Sequence, residues 1–268
     1  MTRRIWWHIG LASTCILLLA PVGLALLASL KSPNALYDND PLPLRPTLAN
    51  YHAALGAFPI GRLLANTIIT SVGVVALQLC VALLAGFALV RFDTRLGRLI
   101  LYGGTVAVMI PAQALLVPQF LMVSHVGWLN TFAALIVPQL SGCAVALLLL
   151  RTYIAGIPES LSEAARLDGA GTWQTLWHVI LPLLRPGLVA VGILVFVNTW
   201  NEYLWPLLAA PDIPHSTIQV GLALFSNTEG ANPGPLLAAA IVATLPVLVA
   251  YLFTARRVTD AFMHSGIR

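Results

Sequence analysis

The sequence predicts an all-α, polytopic membrane protein with six transmembrane helices. Composition is the first reason. Of 268 residues, 59% are hydrophobic and only 9% are charged, whereas a soluble domain carries about a quarter charged residues. Mean hydropathy, +0.87, is the second. The third is the spacing of formal charges, which leaves uncharged stretches long enough to cross a bilayer. A charge left at mid-bilayer costs about 2.5–3.5 kcal/mol on insertion scales, so spans fall between charges. At about 20 residues per span the chain holds roughly five to seven spans. A large soluble catalytic domain has no room, and disorder, collagen and coiled coil fail on the same figures.

The elements follow in order. Arg3 and Arg4 precede an uncharged apolar run over 5–30. A cleaved signal core is only about 7–15 residues, so a retained first span is predicted over 7–30. Arg62 and Arg91 enclose 28 uncharged residues, which places span two over 64–90. Arg98 and Arg151 enclose 52. That is about 78 Å of helix, enough for two crossings and a turn. The break falls at Ser124-His125-Val126-Gly127-Trp128-Leu129-Asn130, which supplies Gly, Asn and an interfacial Trp. Spans three and four are then predicted over 100–123 and 131–150, span five over 186–208 and span six over 235–254.

Six spans put both termini on one side. With the termini inside, eleven of the fourteen basic residues face inward, and only Lys31, Arg45 and Arg62 face outward. The positive-inside rule therefore places both termini in the cytoplasm.

Two connecting segments are long. The first outer loop, 31–62, is rich in Pro, Asn and Asp. The inner segment 151–185 concentrates Arg151, Glu159, Glu163, Arg166, Asp168 and Arg185. Pro158 suits a helix first turn, and Glu159 suits the positive helix end. Asp168-Gly169-Ala170-Gly171-Thr172 reads as a turn, with Thr172 as N-cap of a second helix. The segment is thus predicted to be two short amphipathic helices forming a docking surface for a cytosolic protein. A helix lying on the membrane is the alternative, but such helices carry a strongly basic face and this one is nearly balanced.

Other chemistries find no support. Cys15, Cys80 and Cys143 lie far apart in apolar stretches and read as small packing residues. The six histidines form no constellation, so no metal site is expected. Lys31 follows Leu30 where a phosphate-binding loop needs Gly. The net charge of +4 is spread over separate loops, which does not make a nucleic-acid surface.

Glu163-Ala164-Ala165-x-x-Asp168-Gly169-Ala170, followed by Ile180-Leu181-Pro182 and Pro186, resembles the EAA loop of bacterial ABC importer permeases. Asn50-Tyr51, Asn66-Thr67, Pro111, Pro118, Trp200-Asn201-Glu202-Tyr203, Pro206-Leu207 and Val220-Gly221-Leu222 narrow the resemblance to the carbohydrate-uptake class, the type of the maltose transporter's smaller permease. The resemblance covers essentially the whole chain. It implies a single transmembrane permease domain over 1–268, in the bacterial inner membrane. A cytoplasmic EAA coupling helix then lies between spans four and five. The implied partners are a second homologous permease, two copies of a cytosolic ATPase and an extracytoplasmic solute-binding protein, in contact with membrane lipid. ATP and Mg would sit on the ATPase, with no cofactor on this chain and no enzymatic activity of its own. Glu163, Ala164, Ala165, Asp168, Gly169, Ala170, Leu181 and Pro182 would couple to the ATPase. The ending, 262–268, departs from the family's glycine-rich tail.

In span five, Asn198, Asn201 and Glu202 have the spacing of one helix face. Counted from Pro186, Glu202 lies about 24 Å along the axis, near the outer interface. Two readings stand. Glu202 reaches water within an aromatic belt of Trp200, Tyr203 and Trp205, or Asn198, Asn201, Glu202 and Tyr203 line the translocation path, as the resemblance implies. The substrate would be a sugar or polyol, with glycerol 3-phosphate or a glycerophosphodiester as the alternative. A phosphate would want basic residues in the path; the spans show none, though a partner permease could supply them. A secondary transporter is the alternative from a different class. It would need internal repeats and mid-membrane ionisable groups, and Glu202, which is not central, is the only candidate.

Overall fold

The computed structural model describes residues 2–32, 43, 45–229 and 233–265. Residues 33–42 and 44 of the Pro- and Asp-rich loop therefore lie outside the described residues. So do 266–268 and the side chains of the tail from 256 onward. Among the described residues the chain is helices and turns, with no strand. Five helices are long and apolar enough to cross a membrane, or six when one sharply bent pair counts as a crossing.

The first helix, α1, runs Thr2–Ser29, starting before the predicted span 7–30 and ending one residue short of it. Its exterior is apolar: Leu17, for example, is 75% exposed to the surroundings. A short helix, α2 (Ala49–Ala57), was not legible in the sequence. It places Asn50 under the end of α1, where Nδ2 donates to the carbonyls of Ser29 and Lys31 at 3.0 and 2.8 Å. The Tyr51 hydroxyl shares a hydrogen bond with Ser29 Oγ at 2.8 Å. The last carbonyls of a helix have no partner within it, and Asn50 supplies one here, with Tyr51 holding the Ser29 hydroxyl beside it.

The second span, α3 (Ile60–Arg91), contains the predicted 64–90 and adds a turn before it. The predicted third span, 100–123, is not one straight helix. It divides into α4 (Arg95–Val108) and α5 (Leu116–His125), joined through a 3-10 turn over Ala112–Leu115, and the two limbs are bent by 103°. Pro111 is the cause. It lacks a backbone N–H, it disfavours helical backbone at Ile110, and it is itself extended at φ −60, ψ 132. The turn predicted at 124–130 is present, with Gly127 and Asn130 at positive φ.

Span four also departs from 131–150. It comprises α6 (Phe132–Ile136), a 3-10 segment Pro138–Gly142 and α7 (Cys143–Ala155). Helix α7 continues through Arg151, which the charge boundary had excluded. After α8 (Glu159–Leu167), the short α9 (Thr172–Thr175) is not a separate helix. It passes through a π turn, Leu176–Ile180, into α10 (Leu181–Asn201). Pro182 cannot donate to the His178 carbonyl and its ring crowds that carbonyl, which accounts for the widened turn. Span five is therefore Thr172–Asn201, not 186–208. Residues 204–208 fall in α11 (Leu204–Ala209) instead. Two further helices, α12 (Ile218–Glu229) and α13 (Pro233–Ser265), complete the fold, and α13 contains the predicted sixth span.

Packing centres on α3, α7 and α10. Between helices in lipid, close fit rather than apolar transfer drives association, and small residues permit it. A Cβ on Gly187 of α10 would stand 2.9 Å from the Tyr153 ring of α7. Ala82, Leu83, Phe87, Ala146, Leu150, Leu184 and Val191 fill the shared core. Cys143 is buried in it, whereas Cys15 and Cys80 are exposed on the exterior rather than packed. At the opposite end from α8, Asn66 Nδ2 donates to the carbonyls of Pro214 and Ser216, both at 3.0 Å. Thr67 Oγ1 accepts from the Ile218 N–H at 2.8 Å. Two indoles act as struts: Trp200 Nε1 donates to the Ala243 carbonyl and Trp205 Nε1 to that of Ala134.

Asn66→Leu strands two carbonyls in a buried place, a loss of about 1–3 kcal/mol. The expected result is a lower thermal midpoint for the detergent-solubilised protein. Val72→Leu, on the exterior of the same helix, leaves the midpoint unchanged.

Candidate functional site

Two places in the fold combine polar chemistry with access. The first is α8 and the turn after it. Pro158 enters at φ −55, ψ 131, and Glu159 stands in the first turn of the helix. Ser162 is buried and Ala165 half-buried, so this face seats α8 on the bundle. Glu163, Ala164, Arg166 and Asp168 are exposed, and Leu167 is 90% exposed. The helix ends in a Schellman turn. The Ala170 N–H donates to the Ala165 carbonyl at 2.9 Å and the Gly169 N–H to that of Arg166 at 3.0 Å. Gly169 sits at φ +83, a conformation that side chains with a Cβ adopt at a cost. The N-cap of the next helix is Gly171, not Thr172: the Gly171 N–H donates to Gln174 Oε1 at 2.7 Å. Beyond it, Leu181 packs on the core shared by α3 and α7, while Pro182 is exposed.

A cleft of about 350 Å³ opens between α3, α7 and α8, lined by Phe87, Arg91, Ile154, Pro158 and Ser162 among others. The Arg91 side chain is only 10% exposed and pairs with Glu159 at 3.4 Å. Its Nη2 has no hydrogen-bond partner, and neither has the buried Nε of Arg151. Arg91 therefore stands at the root of α8, with the Glu159 carboxylate linking α8 to the end of α3.

The second place is a pair of adjoining cavities of about 390 and 260 Å³. They share Ala112, Gln139, Gly142, Val145 and Glu202. Three interruptions of helix meet there: Ala112–Leu115, Pro138–Gly142, and the step between α10 and α11. Gln78 Nε2 donates to the Gln139 carbonyl at 2.6 Å. Gln119 Nε2 donates to Ser141 Oγ at 2.7 Å and to the Pro138 carbonyl at 3.3 Å. Non-helical backbone at membrane depth is tolerated where protein covers it or where it lines a watered cavity. Gln78 lies near the middle of α3, so the cavity reaches mid-span.

Of the path residues predicted from sequence, Asn198 and Glu202 line this cavity. Asn201 and Tyr203 do not. Asn201 is exposed and its Nδ2 donates back to the Val197 carbonyl at 2.8 Å. The common helix face of Asn198, Asn201 and Glu202 does not exist, because α10 ends at Asn201 and Glu202 is extended at φ −67, ψ 127. The distance counted from Pro186 fails too, since the helix begins before it. Glu202 Oε1 instead accepts the Trp205 N–H at 3.2 Å and caps α11. Sequence reasoning missed Gln78, Gln113, Gln119, Gln139 and Ser141, which line the cavities. Their signal was present: four amides and a hydroxyl inside otherwise apolar stretches. Boundaries drawn from formal charge alone pass over them.

Comparison with known proteins agrees with this architecture. A sn-glycerol-3-phosphate transport system permease protein from Yersinia pestis is 28% identical, over 94% of this chain and 93% of its own length. A diacetylchitobiose uptake system permease protein from Streptomyces coelicolor is 28% identical over 97% and 88%. A solved bacterial ABC transporter involved in import of the acidic polysaccharide alginate has a chain of like fold. Its TM-score is 0.83 at 23% identity, covering 96% of this chain and 97% of that one. The profile of one family, the binding-protein-dependent transport system inner membrane component, matches residues 78–258. Those residues hold α7 to α11, the broken spans and both candidate sites, so this chain belongs to that family of permeases.

Proposed function

We propose that this chain, as one membrane domain, is one of two permeases that together form the path of an ATP-driven importer for a sugar or related polyol. An extracytoplasmic binding protein loads the path, and a pair of cytosolic ATPases carries the ATP and Mg. The observation that carries the reading is the polar cavity where three helix interruptions meet. In transporters, discontinuous helices at mid-membrane expose backbone and side-chain polar groups to a solute without exposing them to lipid. The names of the relatives support a transported solute of sugar or glycerol type.

The α8 segment supports coupling to an ATPase. Its exposed face carries Glu163, Arg166 and Asp168, a mixed charge that suits a protein partner better than an anionic membrane. The Gly169 turn holds α8 beside α9, and from Thr172 the chain runs to Asn201 as one helical rod of 30 residues, about 45 Å. A displacement received at Glu163, Ala164, Ala165, Asp168, Gly169 and Ala170 thus reaches the wall of the cavity through Leu181 and Pro182 without crossing a flexible joint. In this arrangement α8 and both termini lie in the cytoplasm.

Single cysteines in a cysteine-free background test the orientation. A cysteine at Asp212 reacts with an impermeant thiol reagent added outside intact cells, and one at Leu167 does not. Labelling of Leu167→Cys from outside overturns the orientation.

Glu163→Lys and Gly169→Val are expected to reach the membrane yet lose substrate uptake by about tenfold or more, the scale of truncating a partly desolvated charge contact. A charge swap on the ATPase partly restores Glu163→Lys and not Gly169→Val. Normal import by both variants, with substrate-stimulated ATP hydrolysis intact, removes the coupling role from α8.

The isolated chain neither binds nor hydrolyses ATP. Saturable binding of a fluorescent ATP analogue to the purified chain is the measurement that contradicts this.

A further inference from the structure

We infer that the path admits an uncharged polyhydroxy solute and rejects anions, with Glu202 as the rejecting charge. The inference rests on the reading of the polar cavity as the path. Its lining is rich in side-chain amides: Gln78, Gln113, Gln119, Gln139 and Asn198. An amide offers donors and an acceptor from one group. A hydroxyl does the same, so the lining matches a sugar or polyol without needing charge. Among the residues that line the two cavities, none is Lys, Arg or His, and Glu202 carries the only formal charge. Its position makes that charge unavoidable. Glu202 lines both cavities, so a solute moving between them passes it. One carboxylate oxygen is held by the Trp205 N–H, which fixes the group at the step after α10. The remaining acceptor sites are free to take hydroxyl protons from a solute.

An anion entering this place meets a like charge with no cation among the described residues that line either cavity, and such repulsion is weakly screened away from bulk water. The relatives do not decide the matter by name. One is named for a phosphate ester and another for an N-acetylated disaccharide, and the solved neighbour imports an acidic polysaccharide. The cavity separates these options by its charge.

The experiment uses the complete importer, with both permeases and the ATPases, in proteoliposomes. This chain is cysteine-free except for Asn198→Cys. Three methanethiosulfonate reagents of similar size are compared, one cationic, one anionic and one neutral. Each rate is normalised to that reagent's rate with a free thiol in solution. The cationic reagent is expected to react about tenfold faster than the anionic one, the scale of a single nearby charge in a partly screened site. Glu202→Gln keeps an acceptor for the Trp205 N–H. It is expected to abolish the difference while leaving the neutral rate unchanged. Equal rates before substitution, or a faster anionic reagent, overturn the inference. That outcome is what a cation supplied by the second permease would produce. Failure of the neutral reagent to react refutes the cavity as a path instead. As a second arm, glycerol 3-phosphate added with the companion binding protein is expected not to stimulate ATP hydrolysis. Stimulation overturns the inference.

Discussion

In hydrocarbon a peptide group freed from its helix must find a partner inside the protein, since no water is there to take it. Several departures from regular helix among the described residues meet that requirement through side-chain amides. Asn50 closes the end of α1 on two carbonyls. Asn66 holds the loop before α12 by two more. Gln78 and Gln119 take carbonyls of the 3-10 segment in span four. These four residues allow the fold to depart from a plain bundle of rods. The interruption that Gln78 and Gln119 stabilise is also where the polar cavities lie. The amides that satisfy the opened backbone are thus neighbours of the cavity-lining groups in the proposed path.

Helix α3 ties the two candidate sites together. Near one end, Asn66 and Thr67 hold the loop that precedes α12. At its middle, Gln78 meets the cavity. At the other end, Arg91 pairs with Glu159 at the start of α8. The glutamate side of the pair is exposed, so its energetic worth is modest, at most about 1 kcal/mol for an exposed pair. Its geometric effect is larger, because it fixes where α8 begins relative to a span that also forms the cavity wall.

The run of apolar helices, five or six according to how the bent pair is counted, and the turn at Gly169 were legible because each rests on a local rule. A charge costs free energy in lipid wherever it occurs, and a glycine between two amphipathic segments serves a left-handed backbone. The interruptions were not legible in the same way. Pro111 and Pro138 are visible in the sequence, but whether a proline kinks a span or ends it depends on whether neighbouring groups can satisfy the opened backbone. That dependence is tertiary: Gln78 and Gln139 are 61 residues apart. The continuity of α9 into α10 was hidden for the opposite reason. Arg185 and two prolines suggested a boundary, yet Arg185 is exposed at the bundle surface and Pro182 costs only one widened turn. Glu202 illustrates a third limit. Its spacing from Asn198 has meaning only while the helix lasts, and the helix stops one residue earlier.

The close seat of Gly187 against Tyr153 bears on how span five can move. No side chain separates α10 from the ring at that point, so sliding along the axis would drive a neighbouring residue into it. Rotation about the contact meets no such obstacle. Gly187 stands 15 residues from Thr172 and 14 from Asn201, arms of about 22 and 21 Å. If the rod Thr172–Asn201 moves as one body about this fulcrum, the leverage is close to one and the sense is reversed. A push on the α8 end swings the Asn198 end by a similar amount in the opposite direction, so one stroke closes the space at one end of the span while widening it at the other.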